Sequence, residues 1–245
     1  MINECLAVYR REMLILKRRL LRQMAGQAVS PLLYLVTFGY AMGDKIRFDG
    51  ISYLDFLLPG LVAMSSMTRS FAIATDINVA RFYWHIFDEF QAAPISNVSY
   101  VAGEVLAGMT RALMGIIIIL GLGLLFSVHL SYGPMFWLPI LLNSFLFASL
   151  AVALAMLVKN HADQSLLVNF VITPMAFLGG TFFPIARLPG WLQSILKLLP
   201  LTHASKAIRQ AALGKPVNPH SLILLAATGA VIFLIALGCV NRARD

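Results

Sequence analysis

The chain is poor in charge. Only 12% of its 245 residues are Asp, Glu, Lys or Arg, too few to coat a water-soluble domain. Cysteine is nearly absent. Cys5 and Cys239 both fall near the face read below as cytoplasmic, so no structural disulfide is expected. No Gly-x-x-x-x-Gly-Lys-Ser/Thr run occurs, which removes that way of cradling ATP phosphates. The histidines at 85, 129, 161, 203 and 220 are scattered rather than gathered in a metal-binding cluster. There is no Asp-x-x-x-Asp site for prenyl or phosphatidyl transfer, and isolated residues make no Ser-His-Asp set. The chain is therefore not expected to be an enzyme or to hold a cofactor or metal. Its formal charge of +8 comes without any nucleic-acid recognition motif. It is read instead as topology signal and contact with anionic lipid.

What is abundant is apolar sequence. The mean hydropathy is +0.80, and six long runs fill most of the chain: 25–43, 54–77, 101–128, 135–158, 165–185 and 221–240. A helix needs about 20 mostly apolar residues to cross a bilayer. Continuous runs such as Ile116-Ile117-Ile118-Ile119-Leu120 do not alternate, which argues against a barrel. Four of the six lack charge altogether. The second carries Arg69 and Asp76, and the third Glu104 and Arg111. In each the two residues stand seven apart on one helix face, so they read as two local charge sets near the cytoplasmic boundary. They serve either as neutralising pairs or as groups that gate a substrate.

Residues 1–24 precede the first run as a charged, periodic segment, unlike a cleavable signal peptide. Ile2, Cys5, Leu6, Tyr9, Met13, Leu16 and Leu20 form an apolar stripe. Glu4, Arg11, Glu12, Arg18, Arg19 and Arg22 are placed on the opposite face. This predicts a helix lying in the membrane interface. The basic cluster before the first span holds the N-terminus inside, and six spans return Asn241-Arg242-Ala243-Arg244 to the same side. Gaps 79–100 and 159–164 are then cytoplasmic, and 44–53, 129–134 and 186–220 external. The basic residues of 186–220 run against this orientation, and the N-terminal cluster outweighs them.

Two gaps carry structure. Arg81 to Gln91 reads as a short helix with six apolar or aromatic residues beside Asp88 and Glu89, ended by Ala93-Pro94. Outside the membrane such a face packs either on the membrane surface or into a groove on a cytoplasmic partner. Ser96 or Ser99 can cap the third span. In the external gap, Trp191, Leu192, Ile195 and Leu199 share one face of a short helix that dips into the outer interface. Pro200 stops it, and a second helix follows over 202–213 with Gly214 as its stop.

This arrangement resembles the type 2 ABC-transporter permeases, the membrane subunits of ABC exporters. Tyr9-Arg10-Arg11-Glu12, then Pro31-Leu32-Leu33-Tyr34-Leu35-Val36-Thr37-Phe38-Gly39, are similar to the family's opening. Tyr53-Leu54-Asp55-Phe56-Leu57-Leu58-Pro59-Gly60 resembles its second span. Ala93-Pro94-Ile95-Ser96 resembles the end of its coupling helix. Gly179-Gly180-Thr181-Phe182-Phe183-Pro184, Leu188-Pro189-Gly190-Trp191-Leu192 and Leu199-Pro200-Leu201-Thr202-His203 resemble its external hairpin, with Arg209 matching the arginine that follows. The resemblance covers essentially the whole chain. It departs at Phe82-Tyr83-Trp84-His85-Ile86, where family members often carry a small residue.

The resemblance implies one all-α transmembrane permease domain over 1–245. It has six spans, an interfacial helix (1–24; Arg11, Arg18, Arg19, Arg22), a coupling helix (81–92; Trp84, Phe87, Asp88, Glu89, Phe90) and a re-entrant external hairpin (186–214). Phe182, Phe183 and Trp191 would form the external gate. It further implies a separate ABC ATP-binding subunit that carries the ATP and Mg, and a second permease copy as a homodimer. Spans one, two and five would line the path of an amphipathic or lipid-linked cargo, exported across a bacterial inner membrane with both termini cytoplasmic. The competing classes are a stand-alone secondary transporter, which predicts inverted repeats and buried coupling carboxylates, and a lipid-modifying membrane enzyme.

Overall fold

The computed structural model describes residues 1–42, 47–48, 50–84, 86, 89–90, 93–158 and 160–244, with the side chains of all but 40–42 and 244. Helices α1 (Ile2–Arg18) and α2 (Leu20–Met42) part only at Arg19. A short hairpin pairs β1 (Arg47–Phe48) with β2 (Ile51–Ser52), antiparallel. Helices α3 (Tyr53–Phe71) and α4 (Ile73–Phe82) follow end to end, then α5 (Asn97–Leu125) and α6 (Pro134–Leu157). Next, α7 (His161–Leu167), a π-helical turn (Val168–Ile172) and α8 (Thr173–Leu178) make one unbroken run. After a 3-10 turn (Ile185–Arg187) come α9 (Gly190–Leu196), α10 (Pro200–Ala212) and α11 (Pro219–Arg244).

Among the described residues, four stretches are long and apolar enough to cross a membrane: Tyr53–Phe82, Asn97–Leu125, Pro134–Leu157 and Pro219–Ala243. They coincide with the second, third, fourth and sixth apolar runs. Inside hydrocarbon the backbone must satisfy its own hydrogen bonds, which a continuous apolar run does only as a helix. The starts are fixed locally. Ser52 Oγ accepts from the Asp55 amide at 3.2 Å, Ser96 Oγ from the Ser99 amide at 3.3 Å, and Asn160 Oδ1 from the Asp163 amide at 2.9 Å. At the other end of α10, Gly214 takes a φ of +67°, the expected glycine stop.

The fifth run departs from expectation. Residues 165–185 read as one span, but the helical run starts at His161 and ends at Leu178. Pro174 has no N–H for the Phe170 carbonyl, and the ladder widens to a π-turn there. The first run also extends, since α2 begins at Leu20 and takes Arg22 and Gln23 into the helix. Arg81 and Phe82, expected to open the coupling helix, close α4 instead.

The core is centred on α3, where Leu57, Leu58, Leu61, Val62, Ala63 and Met67 are fully buried. Helices α5 and α6 pack against it, α10 crosses its N-terminal end, and α11 lies on α6. The far side of α11 leaves Ile223, Val231, Leu234 and Ile235 exposed, as suits a lipid-facing helix.

Helix α1 seats on α5 by a face turned from the predicted stripe, sharing Leu16 with it and flanked by half-buried Tyr9 and Met13. Val8, Glu12 and Leu16, successive turns on one side, are buried, while Ile2 is 84% exposed. Glu12, assigned above to the charged outer face, is 4% exposed, because α5 supplies an arginine for its carboxylate. The approach is close at Gly103, where an added Cβ would stand 2.7 Å from Val8 Cβ and 3.0 Å from the Cys5 carbonyl oxygen. Gly103→Ala is therefore expected to unseat α1 and lower the heat-unfolding midpoint of the detergent-solubilised protein, at a cost of about 1–3 kcal/mol. Gly121→Ala, where nothing lies within 4 Å, should leave the midpoint in place.

Candidate functional site

The charges of the second and third spans do not pair along their own helices. Arg111 of α5 reaches outward to both neighbours. Its Nη2 donates to Glu12 Oε2 of α1 at 2.9 Å, and its Nη1 donates to Asp76 Oδ2 of α4. Arg11 Nη1 closes on the other oxygen of Glu12 at 2.6 Å, and its guanidinium lies over the Phe90 ring at 5.4 Å. Phe90 in turn meets Tyr100 of α5, with ring centroids 5.3 Å apart. One guanidinium thus ties together α1, α4 and α5, and the next connects that tie to the segment after α4. The Glu12–Arg111 contact is deeply buried, whereas Asp76 is half-exposed. Burial pushes the Glu12 carboxyl above its ordinary range, and the guanidinium groups of Arg111 and Arg11 pull it back.

The same end of the bundle is tied in three further places. Arg81 Nη1 donates to the Ala155 and Met156 carbonyls at 3.1 and 3.0 Å, covering the C-terminal end of α6. Asn78 Nδ2 donates to Gln164 Oε1 of α7 at 2.9 Å, both side chains buried. Glu4 Oε2 accepts from the Ser96 amide at 2.9 Å, joining α1 to the start of α5.

Arg69 pairs elsewhere. Pro31 has no N–H, so the Gln27 carbonyl of α2 loses its helical donor. Arg69 Nη2 supplies one at 2.8 Å. Beside this bond, α2, α3 and α8 enclose a cavity of about 210 Å³, lined among others by Ser30, Pro31, Tyr34, Ser65, Arg69 and Phe177. Its walls come from the first, second and fifth apolar runs, with Ile119 of the third.

At the other end, Arg209 is held by backbone. Its Nε donates to the Phe56 carbonyl at 3.1 Å and its Nη2 to the Gly180 carbonyl at 2.8 Å, with the guanidinium 3.8 Å from the Phe56 ring centroid. Gly60 makes room for that turn. An added Cβ would meet the Thr181 carbonyl oxygen at 2.5 Å.

Of the residues proposed from sequence, Phe182 is drawn into an aromatic cluster with Tyr34, Phe38 and Phe177, at centroid distances of 5.1, 5.6 and 5.3 Å. Its carbonyl accepts from Tyr53 Oη at 2.9 Å. Phe183 is half-buried, and Trp191 on α9 is 68% exposed. Arg11 belongs to the ionic node, while Arg18, Arg19 and Arg22 are exposed. Trp84 and Glu89 are exposed and Phe90 half-buried. Phe87 and Asp88 lie outside the described residues. Both cysteines are free, and no metal-binding group occurs among the described residues. The sequence reading missed Glu12 as a buried partner. The available signal was its spacing, four residues from both Val8 and Leu16.

Four helical stretches long and apolar enough to cross a membrane among the described residues, a cavity between apolar runs and buried charges paired between helices mark a polytopic membrane protein. The chain belongs to the ABC-2 type transporter family, whose model matches residues 3–213. Nodulation protein J of Rhizobium meliloti (strain 1021) is 34% identical over 219 residues, covering 86% of this chain and 82% of that one. Inner membrane transport permease YadH of Escherichia coli (strain K12) is 30% identical over 207 residues, covering 83% and 79%. Nodulation protein J of Sinorhizobium fredii (strain NBRC 101917 / NGR234) is 27% identical over 242 residues, covering 97% and 92%.

Removing one partner from a buried pair strands the other charge, at about 3–5 kcal/mol, whereas replacing both with apolar groups is often neutral. Arg111→Met should accordingly lower the unfolding midpoint sharply, and Glu12→Met added to it should restore most of the loss. A double substitution as unstable as the single one would show that the arginine matters for something besides this pair. The Glu4 clasp gives a pH dependence. The N-terminal ammonium group, and after it the Ser96 amide, hold the Glu4 carboxyl at about 2 against an ordinary 4.5. Its contribution is therefore present above pH 4.5 and lost as pH falls from 4.5 toward 2. Unfolding midpoints measured across that window should fall less in Glu4→Gln than in the unaltered protein.

Proposed function

We propose that this chain is the membrane subunit of an ATP-driven exporter, powered by a separate ATP-binding subunit that docks on the segment between α4 and α5. The observation that carries the reading is the Arg111 node. It fastens α1, α4 and α5 to one another, and Arg11 links it to Phe90 in the docking segment. A push on that segment would reach three helices at once. Exposed Trp84 and Glu89, with Asp88, would then face the ATP-binding subunit, in the manner of a helix set into a groove. Residues 81–92 act as the coupling element, α1 as the interfacial helix, and 186–214 as the external hairpin. Phe182, Phe183 and Trp191 then stand at the outer gate.

Six spans complete the picture. The run His161–Leu178 has 18 residues, about 27 Å of helix at 1.5 Å per residue, close to the hydrocarbon thickness. With α2 it supplies the two spans beyond the four most apolar ones. Both termini are then cytoplasmic. The name of the Escherichia coli relative, an inner membrane transport permease, supports an inner-membrane location. A second copy would pack against the face formed by α2 and α8. There Ser30, Thr37, Asn169 and Thr173 are exposed beside Leu33 and Phe170, and polar groups at that depth are better covered by protein or a polar path than by lipid. The cargo is amphipathic or lipid-linked, moving along the cavity between α2, α3 and α8.

Purification from native membranes in mild detergent, with partners identified by mass spectrometry, tests the reading. An ATP-binding subunit should come down at a one-to-one ratio, and Asp88→Lys with Glu89→Lys should lose it while membrane insertion stays intact. A chain that purifies alone in several detergents would return the choice to a stand-alone carrier or membrane enzyme.

A further inference from the structure

Arg69 lies at the meeting of two cavities. One is the membrane-depth cavity already described. The other, about 410 Å³, opens toward the charged node and is lined by Arg22, Gln23, Gln27, Arg69, Asp76 and Arg111, among others. Among the described residues Arg69 has no ion pair, and its one hydrogen bond goes to the Gln27 carbonyl. Asp76, the only carboxylate among the described residues lining that second cavity, is already held by Arg111. A guanidinium carries five N–H donors, so most of this one's donor capacity is unspent. An arginine within a span is costly unless something neutralises it.

Two acceptors without partners stand beside it. Ser65 is 4% exposed and lines the membrane-depth cavity, and its Oγ has no hydrogen bond. Nor has Gln27 Oε1. The three side chains converge at Gly115. A Cβ built there would be 3.1 Å from Gln27 Oε1, 3.3 Å from Arg69 Cγ and 3.4 Å from Ser65 Oγ. Outward from that point the wall turns apolar, with Leu61, Met64, Ile119 and Phe177. A cation beside a hydroxyl free to donate its proton, and an amide that presents its NH2 in place of its unpartnered oxygen when the side chain turns over, at the foot of an apolar slot has the profile of a site for an amphipath bearing one anionic head group.

We propose that Arg69, with Ser65 and Gln27, binds the phosphate or carboxylate head of an amphipathic substrate while its tail lies along the apolar wall between α2, α3 and α8. Exposed Arg22 stands on the way in from the cytoplasmic side. The anion supplies the countercharge that the protein withholds. Binding competes for the guanidinium that caps the Gln27 carbonyl, so an occupied site loosens α2 from α3 at Pro31. This proposal rests on the reading of that cavity as the transport path.

The test uses the purified full-length chain in detergent and native mass spectrometry. Phosphatidic acid and phosphatidylcholine with identical acyl chains are titrated against it, and inorganic phosphate is titrated alone. The unaltered protein should retain phosphatidic acid over phosphatidylcholine by about tenfold, equivalent to roughly 1.4 kcal/mol. Arg69→Gln should abolish the preference and Arg69→Lys keep part of it. Lys215→Gln, exposed just beyond α10, should not change it. If Arg69→Gln does not fold, Ser65→Val crowds the same point while leaving the charge, and should also lower the preference. Equal retention of the two lipids, or a preference unchanged in the Arg69 or Ser65 variants, overturns the proposal. Saturable binding of phosphate alone at the same strength overturns the amphipath in favour of a free anion. The measurement needs no ATP-binding subunit, so its failure is distinct from a failure of the exporter reading.

Discussion

The contact on which the arrangement depends is the double grip of Arg111. A guanidinium inside a membrane bundle has to be neutralised, and this one takes its countercharge from two different helices. Its length and planar fork let it reach Glu12 on one side and Asp76 on the other. Position follows from that choice. Helix α1 must lie with Glu12 inward, and α4 must end beside α5. The segment between α4 and α5 therefore leaves one helix held by this tie and enters another held by it. Gly103 makes the seat possible by removing the side chain that would hold α1 away.

Prolines set a second level of organisation. Each proline inside a long helix leaves a carbonyl without its donor. At Pro31 the vacant carbonyl is taken by Arg69 from the neighbouring helix, turning a break in the ladder into a link between α2 and α3. Near Pro174 the helix widens into a π-turn, a feature that recurs at functional sites. Pro31 lines the cavity between α2, α3 and α8, and Thr173, next to Pro174, lines it from the other side. The α2 ladder and the His161–Leu178 run are thus weakest in their own hydrogen bonding beside that cavity.

Much of the fold was legible because its signals are local. Apolar run length marked four of the spanning stretches within a few residues, and Ser96 and Gly214 marked helix ends where they occur, whereas Pro200, expected to stop α9, opens α10, and α9 ends earlier, at Leu196. The family was legible from the order of weak motifs along the chain. The fifth run was overextended, because continuous hydrophobicity across Gly179-Gly180 says nothing about a helix that stops at Leu178. The inner face of α1 was misread for a related reason. A stripe of apolar residues predicts burial only when no neighbour offers a charge, and Arg111 made Glu12 a better core residue than Ile2.

The charges divide along the same line. The sequence by itself determined that Arg69, Asp76, Glu104 and Arg111 fall within apolar runs, and that so few charges there must be matched or used. It also determined that no phosphate-binding loop is present. Which charge meets which was decided by the tertiary structure. Residues seven apart on one helix share a face but stand about 10 Å apart along it, too far for direct contact. A side chain on an adjoining helix can approach within hydrogen-bonding distance. Proximity between helices comes from packing, and no spacing within a single chain segment encodes it.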